Sequence, residues 1–273
     1  MQSFNLDKMQ TSLIEGMAHY KIGPDECPVE LNPLIGQELK LIFKKEINCT
    51  NCYRPIKKTY AGGYCYPCSA KLAEADMCIL RPELCHFTKG TCRDPEWGTN
   101  NCMIPHYVYL ANSSGLKVGI TRSTQIPTRW IDQGAIAGLP ILKVSSRYQS
   151  GMFEKMFSSK INDKTDWRKM LKGDIEEISL KEKRDELFLM FGEALDEMEG
   201  NFGASQVEIL ERFELTSINY PVLTYPEKVS SLSFDKTEIV GGKLLGIKGQ
   251  YLMFDTGVIN IRNHTGYKID LQF

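Results

Sequence analysis

Nine cysteines occur in the chain, and eight of them fall between residues 49 and 102. The first four are arranged as Cys49-x2-Cys52, twelve intervening residues, then Cys65-x2-Cys68. Two thiolates from one tight knuckle facing two from another suit a tetrahedral zinc ion. The intervening loop is slightly shorter than the common ribbon spacing, and Gly62-Gly63 supplies its turn. The start, MQSFNLDKMQTSLIEG, lacks a basic stretch leading into an apolar run, so no export signal is expected. Without export, clustered cysteines read as metal ligands rather than a disulfide framework. A structural zinc ribbon is therefore expected at Cys49, Cys52, Cys65 and Cys68. No βαβ pattern surrounds either pair, which argues against a thioredoxin-like redox pair.

The remaining cysteines are spaced less regularly. Cys78, Cys85, Cys92 and Cys102 match no standard finger, yet four thiols so close in sequence can hold a second zinc. His86 and His106 are possible substitute ligands. The alternative is that these cysteines pack as small hydrophobes. Cys27 lies outside the cluster and reads as a buried or idle thiol.

Composition sets broad limits. The chain has 273 residues, 42% hydrophobic and 25% charged, with a formal net charge of -1. That is an ordinary globular balance with room for about two domains. No run reaches the 18 or so apolar residues of a membrane helix, and a cytoplasmic location is expected. Charge is blocked along the chain. Residues 40–72 carry seven basic groups against one acid, and residues 103–150 carry five against one. Residues 173–199 reverse this, with ten acids against three bases, which reads as a solvated helix face. A local basic face for nucleic acid is thus compatible with the near-zero total.

Periodicity gives a coarse map of an α+β chain. Residues 38–47 read as a strand, and the segment 28–47 is expected to pair with C-terminal strands. Residues 106–112 and 116–121, joined by Asn112-Ser113-Ser114-Gly115, read as a β-hairpin. Pro127 opens a helix through Trp130, and a strand follows Pro140. Ser150 is expected to cap a helix carrying Met152, Phe153, Met156 and Phe157 inward. One longer helix is expected near 181–199, with Leu187, Phe191, Leu195 and Met198 on its apolar face. The expected organisation is an N-terminal β-containing segment at 1–47 and a cysteine-rich zinc region at 48–104. A central ββαβα domain follows at 105–200, then a C-terminal small β-domain at 201–273.

The central segment carries groups suited to phosphodiester chemistry. Tyr109 lies on the first hairpin strand, Lys117 on the second and Arg122 at its end. Arg129 opens the helix, and Glu154 lies on the next one. Cations can stabilise developing negative charge, and a carboxylate can hold a hard divalent metal.

These residues carry a resemblance. HYVYLANSSGLKVGITR followed by TRW resembles the GIY-YIG nuclease fold. Tyr107-Val108-Tyr109 stands at the GIY position and Lys117-Val118-Gly119 at YIG, so Lys117 replaces the second tyrosine. Arg129 matches the family's helix arginine and Glu154 its metal-binding glutamate. The resemblance covers about a third of the chain, residues 105–200, and implies Mg²⁺ or Mn²⁺ as catalytic metal. The chain also resembles, over nearly its whole length, an uncharacterised bacterial family with a cysteine-rich N-terminal half. CHFTKGTCRDPEWG, KVGITR, RWIDQGA, WRKML and GIKGQYLMFD carry that similarity, which implies no activity.

Two readings of function follow first. One is a metal-dependent endonuclease acting on DNA or RNA. Tyr109 would orient or deprotonate the attacking water, while Arg129, Lys117 and Arg122 stabilise charge and Glu154 holds the metal. Lys57 and Lys58 on the ribbon would add phosphate contacts. The other is a non-catalytic zinc-containing nucleic-acid-binding protein, which Lys117 in place of a tyrosine favours. A protein-assembly module with structural zinc is a third reading, based on the acidic 173–199 segment. Protein partners and oligomeric state are not readable from the sequence.

Overall fold

The computed structural model describes residues 2–161 and 166–273. The chain opens with β1 (Gln2–Asn5), β2 (Gln10–Ile14), β3 (Met17–Ile22), β4 (Val29–Glu30) and β5 (Glu38–Ile47). Short helices α1 (Tyr66–Lys71), α2 (Met77–Leu80) and α3 (Pro95–Asn101) follow. Next come β6 (His106–Asn112), β7 (Leu116–Arg122), α4 (Thr128–Asp132), β8 (Ala137–Val144) and α5 (Arg147–Ser158). Helices α6 (Trp167–Lys172), α7 (Leu180–Met190) and α8 (Gly192–Phe202) lead to β9 (Val207–Ile209) and β10 (Thr216–Ser217). The chain ends with β11 (Ile239–Lys248), β12 (Tyr251–Phe254), β13 (Gly257–Asn260) and β14 (Tyr267–Gln272).

Strand β5 alternates exposed Glu38 and Lys40 with buried Leu39 and Leu41, the period of a strand with one face inward. It lies within a six-stranded antiparallel sheet ordered β1-β14-β5-β11-β12-β13. Leu41 pairs with Val240 on one side, and Phe43 with Ile269 on the other. Within the 28–47 segment the expected pairing with C-terminal strands is made by β5, whereas β4 pairs with β3. The separation of 1–47 from 201–273 is not observed: strands from both ends build one sheet. Its core includes Leu39, Leu41, Leu244 and Ile269 and continues to Tyr109 and Trp130. The three-stranded sheet β2-β3-β4 contributes to the same core through Tyr20 and Ile22.

The central unit follows the expected order of strand, strand, helix, strand, helix. The hairpin pairs β6 with β7 in register from His106↔Arg122 to Asn112↔Leu116, and β8 lies along the other edge of β6. Val108, Leu110, Val118 and Ile120 point to one face, where Phe153 and Phe157 of α5 cover them. Each fully buried phenylalanine contributes about 1.5–3 kcal/mol of apolar burial.

Three local expectations need correction. Pro140 lies within β8, not ahead of it, at a register irregularity opposite Val108 and Tyr109. A bulge accommodates a residue with no N–H to give. Helix α5 starts at Arg147 and is capped by Ser146, not Ser150; Ser146 Oγ accepts from the Gln149 N–H at 3.4 Å. That adds a turn and brings Arg147 onto the helix. The 181–199 segment is two helices, α7 and α8, broken at Phe191-Gly192. No helix among the described residues is long and apolar enough to cross a membrane.

Candidate functional site

The two CxxC knuckles converge. The sulfurs of Cys49, Cys52, Cys65 and Cys68 all lie within 4.8 Å of one another. Tyr53, just after the first knuckle, adopts a left-handed φ of 57°, and its N–H donates to the Cys49 carbonyl at 2.9 Å. Gly63 turns the second knuckle at φ 100°, where a Cβ would meet Thr50 and Thr265 at under 3 Å. Burial opposes ionisation of Cys49, but N–H groups of Cys52, Cys65 and Asn51 aimed at its sulfur outweigh it. They bring the thiol down to about 6. The Arg54 backbone N–H lowers Cys52 in the same way, and the Arg54 Nε donates to its sulfur at 3.1 Å. Four thiols held this closely, with N–H donors on Cys49, Cys52 and, from the Asn51 side chain at 3.3 Å, Cys68, can hold one zinc ion as thiolates. Lys57 and Lys58 are exposed on the loop between the knuckles, with the Lys58 ammonium 5.5 Å from the Tyr60 ring centroid.

The second cysteine group lines one cavity but is held less closely than the first, and Cys78 is its one member in a set of donor atoms within 4.8 Å of one another. Cys78, Cys85, Cys92 and Cys102 line a single cavity of about 10 Å³, together with Asp76 and His86. Donor atoms of Asp76, Cys78 and His86 lie within 4.8 Å of one another. His106 does not line that cavity. Its Nδ1 contacts the Ile104 carbonyl at 2.7 Å, and its buried Nε2 has no hydrogen-bond partner. Burial, aided by the charges of Arg147 and Arg122, pushes the His106 pKa down to about 4 against the opposing Ile104 contact. Cys27, expected to be buried or idle, is exposed.

The hairpin residues form a second constellation. Tyr109 is completely buried, its ring 5.8 Å from that of Trp130 in an edge-on arrangement. Trp130 belongs to the core. Gln133, one helical turn after Arg129, stands between tyrosine and arginine. In the amide orientation that satisfies both neighbours, Gln133 Nε2 donates to the Tyr109 hydroxyl at 3.1 Å. Its Oε1 then accepts from Arg129 Nε and Nη2 at 3.2 and 3.3 Å. Burial raises the Tyr109 pKa above its usual value, while Arg129 works against this.

Arg129 lines a cleft of about 320 Å³ with Arg122, Arg147 and Arg262. The Arg122 Nη1 donates to Asn101 Oδ1. Arg147 donates from Nη2 to the Ile79 carbonyl at 2.6 Å, and its backbone N–H donates to the Cys102 carbonyl at 2.8 Å. Its buried Nε has no partner. Burial lowers the Arg147 pKa, and the charges of Cys102 and Glu154 oppose this. Glu154 is half-buried on α5, and its charge is felt by both Tyr109 and Arg147. Among the described residues, Glu74 is the one carboxylate lining the cleft.

Of the residues expected at this site, Tyr109, Arg122, Arg129 and Glu154 lie within electrostatic reach of Arg147 or of one another. Lys117 does not line the cleft. It pairs with Ala111 at the turn end of β7, five residues before Arg122. Sequence reasoning missed Arg147 and Arg262 as site residues. Gln133 was legible, because it lies one helical turn after Arg129. Arg262 comes from a turn near the far end of the chain and offered no such signal. Asp132, beside them, is engaged internally: it accepts from Lys8, Thr11 and Gln250 at 2.9–3.2 Å.

A family model described as a protein of unknown function (DUF2797) matches residues 36–269. No curated protein and no solved structure matches the chain.

Proposed function

We propose that this chain, which belongs to the DUF2797 family, is a metal-dependent nuclease of GIY-YIG-like design that hydrolyses phosphodiester bonds in DNA or RNA. The observation carrying this reading is the cleft in which Arg122, Arg129, Arg147 and Arg262 outnumber the single carboxylate Glu74. Four guanidinia around a space of that size suit a polyanion, because the planar fork pairs with phosphate oxygens.

Roles follow from surroundings. Arg129 and Arg122 hold and neutralise the scissile phosphate. Tyr109 is a positioning residue: fully buried, it fixes the Arg129 guanidinium through Gln133. Its burial fits this role better than direct deprotonation of water. Glu154 does not line the cleft, but it is a half-buried carboxylate within electrostatic reach of Arg147, and it suits a hard cation that takes one or two carboxylates and keeps most of its water. Mg²⁺ or Mn²⁺ there would supply Lewis-acid polarisation of a phosphate oxygen. The ribbon zinc is structural, and Lys57 and Lys58 extend the phosphate track.

The burial of Tyr109, with Lys117 outside the cleft, favours a second reading as a non-catalytic nucleic-acid-binding protein. Cleavage assays on single-stranded, duplex and branched DNA and RNA separate the two. Salt-dependent binding without Glu154-dependent cleavage selects the second.

A further inference from the structure

The segment from Asn48 to Pro105 has no apolar core of its own. None of its residues belongs to any hydrophobic cluster found among the described residues. Past the ribbon it consists of one- and two-turn helices and 3-10 turns, without strand pairing. A lobe this poor in apolar burial needs another staple, and one zinc at Cys49–Cys68 leaves residues 73–105 without one.

We propose that Cys78, Cys85, Cys92 and Cys102 hold a second structural zinc ion in the small cavity they share. Its volume of about 10 Å³ is that of one water-sized sphere. The local chain is built around the four sulfurs. Cys78 is the second residue of α2, under the Asp76 cap, Cys85 closes the turn at Pro82–Leu84, and Cys102 ends α3. A Cβ on Gly98 would lie 3.2 Å from the Cys92 sulfur and nearer still to the Phe87 ring. All nine cysteines are free thiols, so no disulfide competes.

Asp76 and His86 reach the same cavity, with donor atoms within 4.8 Å of the Cys78 sulfur. The Asp76 carboxylate is engaged by Arg93 Nε at 2.6 Å and caps α2 through the Cys78 N–H at 3.2 Å. His86 Nδ1 is engaged by the Thr91 hydroxyl at 2.8 Å, and its Nε2 faces Asp76 at 3.7 Å. In the proposed centre Cys85, Cys92 and Cys102 close in on Cys78 as the ion binds, and the thiols are the inner ligands. A zinc with four thiolates carries two net negative charges, and Arg147 and Arg122 lie within electrostatic reach of Cys102. Arg93 ties this centre back to the ribbon through the Ser69 and Leu72 carbonyls at 3.1 and 3.2 Å.

The test is metal stoichiometry, read independently of cleavage. The full chain is loaded with excess zinc, gel-filtered and analysed for metal. Two zinc ions per chain are expected, falling to one in Cys85→Ser/Cys92→Ser and to one in Cys49→Ser/Cys52→Ser. Mercurial titration of the wild type needs no variant to fold, and it should release two zinc equivalents over eight thiols. One zinc per chain, fully released by four thiols, would overturn the proposal.

Discussion

Tyr109 and Gly119 face each other directly across the hairpin, and a Cβ at position 119 would lie 2.6 Å from the Tyr109 phenol oxygen. The tyrosine ring cannot retreat, because Trp130 packs against it and Gln133 holds its hydroxyl. Gly119→Ala is therefore expected to destabilise the protein by about 1–3 kcal/mol through overpacking, read as a lower midpoint in urea. An unchanged midpoint would mean the hairpin can open to admit the methyl.

Removing the hydroxyl tests the positioning role of the same tyrosine. Tyr109→Phe leaves Gln133 short of one partner, at a cost of about 1–3 kcal/mol. Arg129→Lys keeps charge and loses the fork, and should lower the cleavage rate about 10²–10³-fold with zinc content unchanged. Equal rates in wild type and Arg129→Lys would remove Arg129 from the site.

Acid should loosen the fold through His106. Its folded pKa of about 4 lies below the ordinary 6.5, so the unfolded chain binds a proton that the native chain excludes between those values. Stability tied to the neutral ring is complete above pH 6.5 and lost progressively as pH falls towards 4, by about 3 kcal/mol in all. His106→Asn retains a donor for the Ile104 carbonyl and cannot titrate. Its denaturation midpoint should fall less between pH 7 and 5 than that of the wild type, and parallel falls would refute the assignment.

The ribbon loop should contribute to binding without specifying it. Lys57→Ala/Lys58→Ala is expected to flatten the dependence of log binding constant on log salt by about 1.8 on duplex DNA, with cleavage at saturation preserved. No change in slope would place the polyanion elsewhere.

The local signals in the sequence were those with short-range causes. The CxxC knuckles, the Asn112–Gly115 turn with its two strands, and the alternation of β5 each depend on residues a few positions apart, and each is observed. Pairing partners are not encoded that way. A period-two pattern at 38–47 states that one face is buried, whereas the union of both chain ends in one sheet depends on contacts between segments some 200 residues apart. Ser146 and Ser150 are both competent caps, and the choice between them rests on Gln149 and the packing of α5. The arginine cleft was half legible. Arg122 and Arg129 stand beside recognisable motifs, while Arg147 and Arg262 are brought in by the cysteine-rich lobe and the C-terminal turn.

The central claim is a working phosphodiesterase site at the arginine cleft. The most direct test is cleavage of a DNA and RNA panel with Mg²⁺ and Mn²⁺ by wild type, Glu154→Gln and Arg129→Lys, each verified as folded and zinc-loaded. Metal-dependent cleavage by the wild type that falls at least about 10²-fold in both variants is the predicted result. Equal traces in all three proteins, or none in any, would contradict it.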